Sequence, residues 1–266
     1  MDTSSLHPTS QPAADAVWRN PPHQLSLPSD SVHVWRASLS LTKTQQQSFR
    51  PLLSDDERQR IDRALSEKVK HRFLAARGML RILLGRYLGV APERLCFDYN
   101  EYGKPCLIKP ETQAALSFNI SHSGELGLFA ITLDRDIGVD VERQKPGSPD
   151  DRMHIARRFF SDTEYETLTT LPELRRPEAF YRCWTRKEAF IKAKGVGMSL
   201  SLSSFDVSVQ PDAPAALLAT RWDPSEANRW SLHALEPGDG YAGALAVEGT
   251  DLNIACWQLA GDIIPG

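Results

Sequence analysis

Two short stretches constrain this chain more than any others: "LLSDDE" at residues 52–57 and "FFSDTE" at residues 159–164. Each contains S-x-x-E, the capping box in which a serine hydroxyl and a glutamate carboxylate satisfy the unpaired amides that open a helix. The two copies stand about 107 residues apart. Each is followed by a long helical stretch and then by strand-like segments. In the first half the helix spans about Lys68 to Leu88, with Phe73, Ala76, Leu80, Leu83, Leu84 and Tyr87 at helical steps, before "ALSFNI" and "LGLFAITL". In the second, "PEAFYRCWTRKEAFIKAKG" is opened by Pro177 and closed by Gly195, before "SFDVSV", "RWSLHAL" and "YAGALAV". Two capping boxes alone could recur by chance, but the shared order of elements argues for duplication. The expectation is an α+β fold of two similar halves, 31–134 and 135–250, with a seam near Asp134 to Asp136. Residues 1–30, rich in Ser, Pro, Gln and Asn, read as a flexible extension with Trp18 as a docking residue, and 251–266 as a C-terminal tail. A site at the seam would draw groups from both halves.

A formal charge of −3 gives no global field toward nucleic acid or an anionic membrane, so any anion site must be local. Cys96, Cys106, Cys183 and Cys256 lack metal-type spacing and read as reduced thiols. No charged start precedes an apolar core at the N-terminus, and no apolar run is long enough to span a bilayer. A cytoplasmic protein with no nucleic-acid or membrane partner is expected.

"DIGVDVE" at 136–142 carries acids inside an apolar run. As a strand it points Ile137, Val139 and Val141 one way and Gly138, Asp140 and Glu142 the other. A half-exposed strand would explain this without any function. On the helix that follows, Phe180, Trp184, Glu188 and Ile191 share one face, so Glu188 interrupts an apolar stripe. Pairing with Lys192 one turn on would account for it. Three carboxylates brought together would instead form the hard oxygen environment that Mg²⁺ takes. Arg60, Lys68, Lys70, Arg72 and Arg77 gather on the first helical region, and Lys104 sits in the turn "EYGKPCL" before Pro105. His122 lies between Ser121 and Ser123, at the end of a strand. G-x-S-x-G, G-x-G-x-x-G and the Walker pattern are absent from the chain, which disfavours a serine hydrolase and the Rossmann and P-loop nucleotide sites.

Together and in this order, "YGKPCL", "FNISHSG", "IGVDVE", "RRFFSDTEYETL" and "CWTRKEAFIKAKGVGMSL" resemble the Sfp-type 4'-phosphopantetheinyl transferases over roughly residues 32 to 250. The resemblance implies two α+β halves related by a pseudo-two-fold axis in a monomer, with coenzyme A in the cleft between them. It implies a Mg²⁺-dependent holo-[acyl-carrier-protein] synthase, which moves the phosphopantetheine arm to a serine of an apo acyl or peptidyl carrier protein and releases adenosine 3',5'-bisphosphate. Carriers of fatty acid, polyketide or nonribosomal peptide synthesis are the implied partners. Asp140, Glu142 and Glu188 are similar to the Mg²⁺ ligands, and Lys192 to the group on the leaving phosphate. The other implied coenzyme A contacts are Lys104, Pro105, Ser121, His122 and Lys187 beside Asp140 and Lys192, with Arg60 and Arg72 near the 3'-phosphate. Glu57 stands where some members carry a further lysine. The implied catalytic set is Glu188, Lys192 and Glu164; Glu188 or a metal-bound water takes the serine proton, and Glu164 is the weaker candidate because its capping role already explains it. The alternatives are a non-catalytic module that binds coenzyme A or a carrier protein, and a Mg²⁺-dependent phosphotransferase with a nucleotide donor. Retention of all three acids favours the enzyme.

Overall fold

The computed structural model describes residues 17–108 and 115–259. The first half runs from strand β1 (Ser31–Ser38) through helices α1 (Lys43–Phe49), α2 (Asp55–Arg63) and α3 (Glu67–Leu88). A short hairpin of β2 (Phe97–Tyr99) and β3 (Pro105–Leu107) follows, and then β4 (Leu116–Ser123) and β5 (Leu126–Leu133). The second half repeats that order with β6 (Ile137–Arg143), α4 (Pro149–Phe159), α5 (Asp162–Thr170) and α6 (Arg176–Lys194). Its hairpin is β7 (Phe205–Val207) with β8 (Leu217–Thr220), and β9 (Trp230–Leu235) and β10 (Tyr241–Glu248) complete it. Strand pairing repeats too, as β1-β5-β4 in one sheet and β6-β10-β9 in the other, antiparallel throughout these two sets. The duplication expected from the capping boxes is therefore present in the topology, and the chain is α+β.

Alternation along the strands builds the core in layers. Trp35, Phe129 and Ile131 face α3, where they meet Met79, Leu80 and Leu83. The opposite face of the same sheet, with Val34, Leu128 and Ala130, packs on Val139, Val141, Leu245 and Val247 of the second sheet. The far face of that sheet, with Ala244 and Ala246, meets Ala189, Phe190 and Ala193 of α6. The order is helix, sheet, sheet, helix, each apolar face covered by the next. No helix among the described residues is long and apolar enough to cross a membrane.

The C-terminal end of the chain departs from expectation, and the N-terminal end does so in part, since Trp18 docks as expected. The stretch read as a tail from residue 251 supplies β11 (Asn253–Gln258), which adds to β1 in parallel and so belongs to the sheet of the first half. The described part of the presumed extension is docked on the body. Arg19 N donates to Cys256 O and Arg19 O accepts from Gln258 N, at 3.0 and 2.7 Å. The Trp18 indole donates to Glu236 O at 2.6 Å, and Leu25 and Leu27 pack on the first core. Residues 1–16 and 260–266 lie outside the described residues. Deleting residues 2–28, neutral if the segment were loose, is expected to lower the melting temperature by about 4 °C or more, the shift that ~2 kcal/mol produces in a chain of this size. A thermal melt of the truncated protein checks this. Helices α1 and α4 and the short β2, β3 and β8 are not among the expected elements, because their apolar periodicity is too brief to stand out in the sequence.

Candidate functional site

Where the two halves meet, β4 and β6 are facing edge strands that share no backbone ladder. Side chains replace it. Asn119 Oδ1 accepts from Val139 N at 2.9 Å, Ser121 Oγ from Val141 N at 3.4 Å and Ser123 Oγ from Arg143 N at 3.0 Å. The alternate residues of "NISHS" thus stitch the seam and satisfy the amides of β6. The same hydroxyls hold the acids: Ser121 donates to Asp140 Oδ1 at 2.9 Å and Ser123 to Glu142 Oε2 at 2.7 Å.

On its other side β6 is crossed by α6, and the approach depends on Gly138. A Cβ there would overlap the Ala189 carbonyl and the Ala193 amide nitrogen and come within 2.9 Å of Ala193 Cα. Only glycine lets α6 lie this close to the strand. The close crossing brings Lys192 and Glu188 to the acids of β6. Lys192 Nζ donates to Asp140 Oδ1 at 2.6 Å and to Ser121 Oγ at 2.9 Å. The structure thus pairs Lys192 with Asp140 rather than with Glu188, so the helical i,i+4 pairing does not form. Among the described residues the Glu188 side chain has no hydrogen bond or ion pair, since Lys192 is turned to Asp140.

The acids perturb one another. Burial, then the negative charge of Asp140 and that of Glu142, push the Glu188 carboxyl above the ordinary carboxylate value. Burial raises Glu142 as well; the Ser123 hydrogen bond opposes the shift and the Asp140 charge adds to it. Asp140 itself is 4% exposed, and its Oδ2 is buried without a hydrogen-bond partner. An orphaned carboxylate oxygen beside two electrostatically coupled carboxylates is the donor chemistry of a hard divalent cation, so these residues fit Mg²⁺. Among the described residues no three His, Cys, Asp or Glu side chains already stand as a ligand set around one point. The ammonium of Lys192 supplies the positive charge at Asp140.

Beside these acids a cavity of about 500 Å³ opens between the halves, lined by Lys104, Asn119, Glu188, Lys192 and Leu200 among others. Lys104 reaches it from the turn between β2 and β3, where Gly103 has φ 83° and Pro105 begins β3. The turn is tied to the end of α6: Lys104 Nζ donates to Ala193 O at 2.8 Å and Asn100 Nδ2 to Gly195 O at 2.7 Å. Burial lowers the Lys104 pKa. Removing the side chain as Lys104→Ala is expected to weaken coenzyme A binding by about 1.5–3 kcal/mol, one charge-assisted contact. Calorimetric titration with coenzyme A reads this directly.

His122, Arg72 and Arg60 are not among the residues that line this cavity. His122 is exposed on β4, and partial desolvation, then the charges of Lys192 and Arg72, hold its imidazole below the ordinary value. Arg72 pairs with Glu125 at 2.8 Å, while the Arg60 guanidinium lies over the Phe73 ring, 5.1 Å from its centroid.

Two residues carried to the site by resemblance do not belong to it. Lys187 is fully buried and donates to Leu202 O at 2.8 Å, to Phe205 O at 2.7 Å and to Glu164 Oε2 at 2.7 Å, which uses all three of its donors. Glu164, 1% exposed, also accepts from Ser161 N and Val207 N at 2.9 and 2.7 Å. Neither can reach a ligand, so Glu164 is not catalytic and Lys187 is not a coenzyme A contact. The first half contains the matching pair: buried Glu57, its capping-box acid, accepts from Arg81 Nε at 2.7 Å. Glu57 thus has a structural partner of its own.

Comparison with known proteins divides the chain at the same seam. Residues 35–133 match the family model described as 4'-phosphopantetheinyl transferase, N-terminal, and residues 136–246 that of the 4'-phosphopantetheinyl transferase superfamily. The chain is 40% identical over 242 residues to the 4'-phosphopantetheinyl transferase HetI of Nostoc sp., covering 91% of this chain and 98% of that protein. It is 34% identical over 177 residues to the 4'-phosphopantetheinyl transferase Sfp of Bacillus subtilis, covering 66% and 75%. Two family models that meet at the boundary between the halves, and a relative matched over nearly its whole length, make this chain a member of the 4'-phosphopantetheinyl transferase superfamily.

Proposed function

We propose that the protein transfers the 4'-phosphopantetheine arm of coenzyme A to a serine of an apo carrier protein, releasing adenosine 3',5'-bisphosphate, in a reaction that requires Mg²⁺. The observation that carries the mechanism is the seam itself: Asp140, with one orphaned oxygen, pairs with Lys192, and Lys192 and Glu188 line the cavity between the two halves. Asp140, Glu142 and Glu188 are the residues that would hold Mg²⁺. The ion would supply neutralisation of the diphosphate charge.

The chain's own groups account for the remaining work. Lys192, now held on Asp140 and Ser121, is free to exchange those contacts for a phosphate oxygen, which places its charge where negative charge grows in the transition state. Glu188 lines the cavity, and it is the carboxylate that would accept the proton of the attacking serine. Lys104 and Pro105 wall the cavity opposite α6 and orient the coenzyme. Arg72 and Arg60 are the groups that would meet its 3'-phosphate. A monomer in the cytoplasm is the expected working form.

Chromatography of the small-molecule products tests this reading. Formation of adenosine 3',5'-bisphosphate from coenzyme A, dependent on apo carrier protein and on Mg²⁺, supports it. Binding of coenzyme A without that product indicates a non-catalytic module, and transfer from a nucleotide donor indicates a different phosphotransferase.

A further inference from the structure

The turn between β4 and β5 places a carboxylate on the basic face of α3. Gly124 takes φ 61° there, and a Cβ on it would meet the Tyr241 hydroxyl at 2.6 Å, so the turn is fitted closely to the second half. Leu39 N donates to Glu125 O at 2.8 Å, which fixes the turn from the other side. The Glu125 side chain then accepts from Arg72 at 2.8 Å through Oε1 and from the Ser40 hydroxyl at 3.1 Å through Oε2. Lys68 Nζ stands 3.9 Å from Oε1.

The fit between Glu125 and Arg72 is incomplete. Glu125 takes one donor of the guanidinium, while Arg72 Nε is buried and has no hydrogen-bond partner. A guanidinium beside a preferred anion is commonly engaged through two parallel bonds, and a buried donor left unpaired is costly. A phosphate group offers more acceptor oxygens and more charge than one carboxylate oxygen. The Glu125 side chain is about half exposed, at 48%, and ion pairs so exposed contribute little, so a stronger anion displaces it easily.

We infer that Glu125 is an internal anion that occupies the α3 basic site until the 3'-phosphate of the nucleotide displaces it, and that it thereby limits how tightly that phosphate is held. The inference rests on the proposed reading of Arg72 as a 3'-phosphate contact. Its consequence is faster release of the product, because the carboxylate stays attached at the turn and competes for Arg72 and Lys68 whenever the phosphate loosens. A ligand without a 3'-phosphate has nothing to gain from displacing it.

Glu125→Gln tests this, since the amide keeps the length and the Ser40 contact but loses the charge. Titrations of parent and variant with adenosine 3',5'-bisphosphate, and with 5'-AMP as the matched ligand lacking the 3'-phosphate, are compared at low and high salt. The variant is expected to bind the bisphosphate about three- to tenfold more tightly, the scale of one partly exposed charge interaction, with the gain shrinking as salt rises. Affinity for 5'-AMP should be unchanged. Equal bisphosphate affinity in the two proteins, or equal tightening for 5'-AMP, overturns the inference and leaves the transferase reading standing. Failure of both proteins to bind the bisphosphate overturns the two together.

Discussion

Glu142→Gln is expected to lower carrier modification about a thousandfold or more, since a divalent cation supplies several kcal/mol of charge stabilisation and each ~1.4 kcal/mol is a factor of ten. The substitution keeps size and polarity, and the amide can still meet Ser123, but it removes the charge that a hard cation needs. Without metal the variant should be as stable as the parent or more so. Burial and the Asp140 charge already raise the pKa of Glu142, and burial with both neighbouring charges raises that of Glu188. Carboxyls with raised folded-state pKa values contribute stability below the ordinary carboxylate range, and that contribution is lost as pH rises through the raised values. The metal-free parent should therefore lose melting temperature across that window, and Glu142→Gln should lose less. Turnover over a Mg²⁺ titration, paired with metal-free melts against pH, measures both effects. Parent-like turnover at every Mg²⁺ concentration contradicts the assignment of Glu142.

The second large effect concerns stability. Lys187→Met leaves Glu164 charged and buried without its partner, and breaking a buried pair by removing one member typically costs about 3–5 kcal/mol. Burial already pushes the Glu164 carboxyl up, against the opposing effect of Lys187, so the carboxyl of the variant should rise further and partly neutralise. Leu202 O and Phe205 O lose their donor as well. Denaturant unfolding should show the loss, and whatever variant remains folded should retain its affinity for coenzyme A. A stable Lys187→Met protein with weakened coenzyme A binding would return Lys187 to the site.

The contrast between Lys187 and Glu188 shows where sequence reasoning reached and where it stopped. Period-two alternation placed Asp140 and Glu142 on one face of β6, and the structure turns the alternate residues Gly138 and Asp140 toward α6. Helical spacing put Glu188 on an apolar face of α6, and only the family resemblance joined it to them. The same helix carries a second stripe, Ala179, Cys183, Lys187 and Phe190, which is buried more deeply than Phe180 and Ile191 of the first. Lys187 is adjacent in sequence to a site residue but faces about 100° away around the helix, and its long stem is absorbed by apolar packing. The repeat of the capping-box acid followed by a buried cation, Glu57 with Arg81 and Glu164 with Lys187, was a sequence signal for this structural role.

Other features depend on contacts too distant in sequence for local patterns to show. β11 is six residues long and weakly alternating, and its partner β1 lies at the opposite end of the chain. The seam across β4 and β6 replaces a backbone ladder by Asn119, Ser121 and Ser123. A polar N-x-S-x-S alternation inside a strand suggests a structural use of those side chains. Which amides they satisfy follows only from how the two sheets meet.

Intact-mass measurement of an apo carrier protein incubated with the enzyme, coenzyme A and Mg²⁺ decides whether this chain transfers the phosphopantetheine arm, with a carrier whose acceptor serine is replaced by alanine run in parallel. The expected result is a gain of one phosphopantetheine group on the parent carrier, none on the alanine carrier, and none when Asp140→Ala replaces the parent enzyme. Unmodified parent carrier after exhaustive incubation across fatty acid, polyketide and nonribosomal peptide types, or full modification by the Asp140→Ala enzyme, would contradict it.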